Sequence, residues 1–390
     1  MSKVVNNRIE SIDLLKGIVM VIMALDHTRD FFHFSSFYFD PTDPSQSTLP
    51  IFFTRWITHF CAPTFSFLAG LSAFFIARRK TLPELSRFLF TRGLWLVFIE
   101  LTIVNFGWYF DFQFRTPGLL TIWSLGVSMM VLAALIHLPS KLILAISIII
   151  IFGHNLLDGI HFENSVVWSI LHEFNIFKLG NGYNFIVGYP LIPWIAVMSL
   201  GYCFGTLYDA SFDSNKRRKI LNTIGLSSLF LFITLRFINV YGDLFPWEHY
   251  PTLSQNCIAF LNPAKYPPSL LYLLMTLGGS LLFLANSEKL KGAVVSFFST
   301  FGRVPFFFYI IHIYFIHLGA MLMAQLSGYG WHSMVLPFWV GEIPELKGYG
   351  CRLSLVYLIW IGIIALTYPL CKKFDAYKMN HKEKWWLSYL

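Results

Sequence analysis

Four ionisable residues lie close together near the end of the first long apolar segment of the chain, namely Asp26, His27, Arg29 and Asp30. If that segment crosses a membrane, each of these side chains is costly to bury and is therefore a functional candidate. A carboxylate beside an imidazole orients the ring and raises its basicity, as a general base requires. We predict that His27 is a catalytic base and that Asp26 or Asp30 orients it.

A second cluster follows in the next apolar segment. Arg55, His59, Ala62, Ser66 and Gly70 are separated by three or four residues, so an ideal helix places them on one face. Ser66 and Gly70 would let a neighbouring helix pack closely, which turns this face toward the interior of a bundle. We predict that His59 is a second acid/base group or an oxyanion donor.

A late apolar segment also carries polar side chains, because Arg303 precedes it and Tyr309, His312 and His317 lie within it. The alternative role for each histidine is a hydrogen bond between helices, and an arginine near a membrane edge can simply extend its head group into water. The predicted substrate-binding residues are Arg29, Arg55, Arg303, Tyr309 and His312.

The composition places these clusters in a membrane protein. Of the 390 residues, 56% are hydrophobic and only 13% are charged, whereas a soluble protein has roughly 25% charged residues. Disorder is excluded by the 41 Phe, 18 Tyr and 12 Trp, because so much apolar surface has to be buried. The five cysteines form no CxxC pair, so neither a disulfide framework nor a metal site is expected.

About 20 apolar residues cross a bilayer as a helix. The predicted fold class is therefore all-α, a polytopic transmembrane bundle of about ten helices in one integral membrane domain, residues 1–390. The ten segments are 14–33, 58–77, 89–110, 119–137, 142–157, 186–208, 220–240, 268–284, 304–324 and 353–370.

The positive charges predict the orientation. Lys and Arg concentrate in alternate connections, as in 78–80 and 216–219, and such connections stay in the cytoplasm. Both termini are therefore predicted to be cytoplasmic, and the net charge of +8 reflects topology rather than nucleic-acid binding. Counted from Leu14, His27 then lies roughly 20 Å from the inner surface, in the outer half of the apolar core.

Several segments resemble a known family. Residues 8–17 (RIESIDLLKG) and 23–27 (MALDH) resemble the opening of transmembrane acyltransferases. Residues 55–63, which run into 67–70, and residues 302–312 resemble later helices of the same group. The chain is similar to the bacterial branch of the heparan-α-glucosaminide N-acetyltransferase catalytic-domain family, which is related to the acyltransferase-3 transmembrane acyltransferases.

This resemblance implies an enzyme that moves an acetyl group from cytoplasmic acetyl-CoA to an amine or hydroxyl of a sugar or glycan on the extracytoplasmic side. It also implies a multi-pass protein of the bacterial plasma membrane whose partners are acetyl-CoA, the glycan and the lipid bilayer, with no metal. The lysosomal enzyme of the family has its key histidine between the first two helices. His27, His33 and His59 therefore stay in competition for that role.

Three further questions stay open from the sequence. The histidine could form a covalent acyl intermediate instead of acting as a base, and the protein could be a homo-oligomer. The alternative function is a proton-coupled secondary transporter or flippase that uses intramembrane Asp and His. The halves of the chain show no visible repeat, which argues against a transporter.

Overall fold

The computed structural model describes residues 9–388. Arg8, with which the N-terminal motif begins, lies outside the described residues. The described chain is predominantly helical, and its helices are α1 (Glu10–Phe32), α2 (Leu49–Trp56), α3 (Cys61–Ala77), α4 (Leu82–Ile99), α5 (Asn105–Tyr109), α6 (Thr121–Leu135), α7 (Ser140–Gly153), α8 (Val166–Leu171), α9 (Leu191–Phe204), α10 (Ser214–Ile238), α11 (Leu253–Leu261), α12 (Leu270–Ser287), α13 (Ala293–Arg303), α14 (Pro305–Leu326) and α15 (Leu353–Asn380).

Two short irregular turns connect consecutive helices into longer rods. A 3-10 turn, Ile57–Phe60, joins α2 to α3, and a π-helical turn, Glu100–Val104, joins α4 to α5. The resulting rods, Leu49–Ala77 and Leu82–Tyr109, are each long and apolar enough to cross a membrane. Both turns change the direction in which the residues after them point, because their winding differs from that of an α-helix.

Each of the ten predicted segments overlaps a helix. By length and composition, eight helical rods in the described part of the chain could cross a membrane. The other two segments correspond to α6, which has 15 residues, and to α1, which carries several charged side chains. The count of ten crossings and the cytoplasmic location of both termini stay predictions.

The prediction of an all-α chain is incomplete, because the structure also contains a small sheet. Strands β1 (Gly118–Leu119), β2 (Asn175–Gly180) and β3 (Tyr183–Val187) lie in the order β1-β3-β2. β3 pairs in parallel with β1 and antiparallel with β2. The predicted segment 186–208 was therefore wrong at its start, since its first two residues belong to β3 and the helix begins at Leu191 after a proline.

Helix α1 lies at the centre of the bundle and packs against α3, α12, α13, α14 and α15. Its closest neighbour is α13, because Gly17 of α1 and Gly302 of α13 face each other's backbone. A Cβ atom added to Gly302 would overlap the carbonyl oxygen of Asp13. This close approach fixes the position of α1, which carries Asp26, His27, Arg29 and Asp30.

Candidate functional site

A cavity of about 1010 Å³ lies at the end of α1 where Phe32 is the last residue. Its walls come from α1, the α2–α3 rod, α5, α14, the hairpin of β2 and β3, and the connection between α14 and α15. Among the predicted site residues, the cavity is lined by Asp26, His27, Arg29, Asp30, Arg55 and Tyr309. The structure thus gathers most of the predicted residues around one space.

The imidazole of His27 is held by a second histidine. His27 Nδ1 lies 2.8 Å from His312 Nε2, and His312 Nδ1 lies 2.9 Å from the carbonyl oxygen of Phe308. A carbonyl oxygen only accepts hydrogen bonds, so His312 Nδ1 carries the proton and its Nε2 accepts one from His27. In neutral rings this leaves His27 Nε2 unprotonated. His312 itself is fully buried behind His27.

Aromatic rings surround His27 on the cavity side. The indole of Trp108 meets the imidazole edge-on, with 4.7 Å between ring centroids, and Trp339 lies 5.4 Å from Trp108. Tyr309 is also edge-on to His27, at 6.4 Å. These rings restrict the imidazole and form an apolar wall with few polar groups, as in ligand-binding cavities generally.

The predicted orienting role of Asp26 or Asp30 is corrected by this arrangement. Asp26 pairs with Arg55 and lies 3.0 Å from Nη2 of Arg29, while Asp30 pairs with Arg29. Successive residues of an α-helix point about 100° apart, so Asp26 faces the α2–α3 rod while His27 faces α14. The carboxylates therefore hold the two arginines, and His312 orients His27.

Arg29 lines the cavity and has hydrogen-bond donors that no protein group among the described residues accepts. Its side chain is only 3% exposed, yet Nε and Nη1 have no hydrogen-bond partner in the described structure. Arg55 also contacts Oγ1 of Thr58 at 3.2 Å. Both arginines are thus positioned by protein partners beside the cavity, and their role in substrate binding stays a prediction.

His59 does not line the cavity. Its Nδ1 lies 3.0 Å from the carbonyl oxygen of Trp56, and its ring packs edge-on against Tyr272. The prediction assumed one continuous α-helix from Arg55 onward, but His59 lies in the 3-10 turn, which winds more tightly. The turn rotates His59 away from Arg55, and Thr58 and Cys61 face the cavity instead.

Arg303 and His33 are also outside the cavity lining. Nε of Arg303 lies 2.6 Å from Oδ2 of Asp375, at the end of α14 remote from the site. His33 Nδ1 lies 2.6 Å from Oγ of Ser35.

The structure adds residues that the sequence analysis did not single out. Lys265 and Tyr266 lie in the connection before α12 and line the cavity, with the ammonium of Lys265 5.2 Å from the Tyr266 ring centroid. Burial opposes ionisation of the Tyr266 phenol, but the charges of Lys265 and Arg55 outweigh it and lower its pKa. Neither residue belongs to an apolar segment, so nothing in the pattern of the sequence marks them.

No group of three or more His, Cys, Asp or Glu side chains that could hold a metal ion occurs among residues 9–388. Besides its carboxylates, the cavity presents the imidazole of His27, two arginines, three lysines and several phenols. This set suits proton transfer from a bound acceptor together with hydrogen bonding to a polarised carbonyl.

Comparison with known proteins gives one finding. The family described as heparan-alpha-glucosaminide N-acetyltransferase, catalytic, matches residues 8–247. No curated protein matches the chain. The matched region contains α1 to α10 and thus Asp26, His27 and Arg55, whereas Tyr309 and His312 lie beyond its end.

Proposed function

Because the chain belongs to the heparan-alpha-glucosaminide N-acetyltransferase catalytic family and is therefore a transmembrane acetyltransferase, we propose that His27 is the general base of its reaction. In this proposal acetyl-CoA is the donor, and the acceptor is an amine or hydroxyl of a sugar or glycan that binds in the cavity. Family membership also decides between the enzyme and the transporter that the sequence left as an alternative.

The observation that carries the proposal is the hydrogen-bond sequence from Phe308 through His312 to His27. It directs the proton of His27 to Nδ1 and leaves the lone pair of Nε2 free, in a ring that lines the cavity. A free imidazole nitrogen is the group that removes a proton from an attacking amine or hydroxyl. As His27 becomes positively charged, its Nδ1–H donates more strongly to His312, which stabilises the protonated base.

The reaction can be written with His27 as the only proton carrier. The acceptor nitrogen or oxygen attacks the thioester carbon while its proton moves to His27 Nε2. The carbon–sulfur bond then breaks, and the departing thiolate takes the proton from His27 to give the free thiol of CoA. Arg29, Arg55 and Tyr309 line the same space and are proposed to hold the acceptor and the thioester in position.

The location of the cavity, together with the charge pattern, supports the proposed sidedness. The residues after α1, Ser36–Pro41, and those between α14 and α15, Phe338–Pro344, form part of its wall. The charge pattern predicts that both connections are extracytoplasmic. We therefore propose that the acceptor enters from this side of a bacterial plasma membrane and that acetyl-CoA approaches from the cytoplasmic side, as the resemblance implies.

The test is acetyl transfer by the purified full-length protein in detergent. Acetyl-CoA with a radiolabelled acetyl group is offered with a panel of amino sugars and neutral sugars, and labelled sugar is separated from the donor. We expect transfer by the wild type, loss of at least about 100-fold in His27→Gln, and retention in His317→Gln. His317 is a suitable control because it is a buried histidine of the same helix as His312, outside the cavity lining. Wild-type protein that acetylates no sugar, or a His27→Gln variant of full activity, would refute the proposal.

A further inference from the structure

Acyl transfer needs a second kind of group besides a base. The thioester oxygen becomes negatively charged when the acceptor attacks, and a hydrogen-bond donor that is already in place lowers the barrier to that step. Such a donor should be buried, should belong to a residue that lines the cavity and should have no permanent partner in the protein. Within the described residues, Tyr109 has these three properties.

The side chain of Tyr109 is buried, and its hydroxyl forms no hydrogen bond within the described chain. Tyr109 is 3% exposed and lines the cavity, and its hydroxyl has no hydrogen-bond partner. A buried hydroxyl without a partner destabilises a fold. A bound substrate that accepts a hydrogen bond from this hydroxyl would supply the missing partner.

The backbone around Tyr109 holds the ring at this place. The π-helical turn Glu100–Val104 shifts the phase of α5, and α5 ends at Tyr109 because the next residue adopts a left-handed conformation, with φ 48°. The carbonyl of Tyr109 accepts a hydrogen bond from the amide of Leu336, at 2.9 Å. The preceding residue is Trp108, whose indole contacts the ring of His27. Tyr109 is thus fixed one residue away from a direct neighbour of the proposed base.

Two other groups near this space are less suitable as the donor. Glu100 accepts hydrogen bonds from the amides of Ile122 and Trp123, at 2.6 and 2.9 Å. Arg29 has open donors, but it follows His27 by two residues, which is a rotation of about 200° around α1. Its guanidinium belongs to the ion pairs with Asp26 and Asp30 on another side of the helix.

We infer that the Tyr109 hydroxyl donates a hydrogen bond to the thioester oxygen and stabilises the negative charge that forms there. This inference rests on the proposed function. The acceptor forms its bond to the carbonyl carbon, the carbon–oxygen π electrons move to the oxygen, and the acceptor's proton goes to His27. When the carbon–sulfur bond breaks, the carbonyl re-forms and Tyr109 keeps its proton throughout.

The decisive variant is Tyr109→Phe, because it removes one oxygen atom and leaves the ring. We expect kcat to fall about 100-fold with little change in the KM for acetyl-CoA, as when one oxyanion donor is removed. The melting temperature should not fall, since the hydroxyl has no protein partner to lose. Tyr208→Phe is the matched control: its hydroxyl is also buried without a partner, but Tyr208 does not line the cavity. We expect Tyr208→Phe to keep wild-type kcat.

A spectroscopic measurement gives an independent result. The infrared stretch of a carbonyl-labelled acetyl-CoA, bound to the slow His27→Gln variant, should lie at lower frequency than in the His27→Gln, Tyr109→Phe double variant. Wild-type kcat in Tyr109→Phe, or a change confined to the KM for the acceptor, would overturn the inference. The proposed function fails differently, through a wild type that transfers no acetyl group at all.

Discussion

Leucine in place of His312 should slow acetyl transfer although His312 does not line the cavity. His312 Nε2 accepts the proton of His27 Nδ1 across 2.8 Å. Leucine removes this acceptor, so the buried Nδ1–H loses its partner and the ring is free to adopt the tautomer in which Nε2 carries the proton. That tautomer has no lone pair facing the acceptor and cannot act as a base.

The size of the effect follows from the lost hydrogen bond. A buried donor left without a partner costs about 1–3 kcal/mol, and each 1.36 kcal/mol is a factor of ten in rate. We therefore expect kcat to fall by about 10- to 100-fold in His312→Leu. The KM for acetyl-CoA should change little, because the missing interaction strengthens only when His27 becomes charged.

The assay is steady-state acetyl transfer by the purified protein with the best amino-sugar acceptor. His312→Gln is the informative partner variant, since its carboxamide oxygen can accept the proton of His27 Nδ1. We expect it to recover most of the rate that His312→Leu loses. Equal and full activity of both variants would refute the reasoning, and so would equal loss in both variants while their melting temperatures match the wild type.

Two further predictions concern packing and electrostatics. Gly302→Ala should destabilise the protein by about 1–3 kcal/mol, because the new Cβ would overlap the carbonyl oxygen of Asp13. Gly362→Ala is the control and should not destabilise the protein, because there is open space around Gly362. Melting temperatures in detergent measure both effects, and equal effects would contradict the close contact. Lys265→Gln should raise the pKa of the Tyr266 phenol, since the lysine charge contributes to lowering it. The phenolate absorbance of Tyr266, obtained by subtracting the titration of Tyr266→Phe, should therefore appear at higher pH in Lys265→Gln. An unchanged titration would disprove the coupling.

The sequence located the helices well because a bilayer imposes a strict length and polarity on every crossing. It also located Asp26, His27 and Arg55 in one site, because charge is rare in such segments and stands out. The small residues Ser66 and Gly70 likewise indicated a close neighbour, and Gly70 does pack against the backbone of Met198 in α9. These features depend only on local composition and helical spacing.

The remaining features depend on geometry that local patterns do not contain. His59 does not line the cavity as predicted, because Ile57–Phe60 form a 3-10 turn between two α-helices. Tyr109 owes its position to a π-helical turn. The last two residues of β3 lie in the apolar segment 186–208, where length and polarity alone predict a helix. The contact of His27 with His312 joins residues 285 positions apart. No spacing rule in a single sequence identifies such a pair.

The most direct test of the central claim, that His27 removes the proton of the acceptor, is chemical rescue of His27→Ala by added imidazole. The cavity of about 1010 Å³ beside His27 has room for this small base when the side chain is absent. We predict that His27→Ala loses at least about 100-fold in kcat and that imidazole restores transfer in a saturable manner. Full activity of His27→Ala without imidazole would contradict the account.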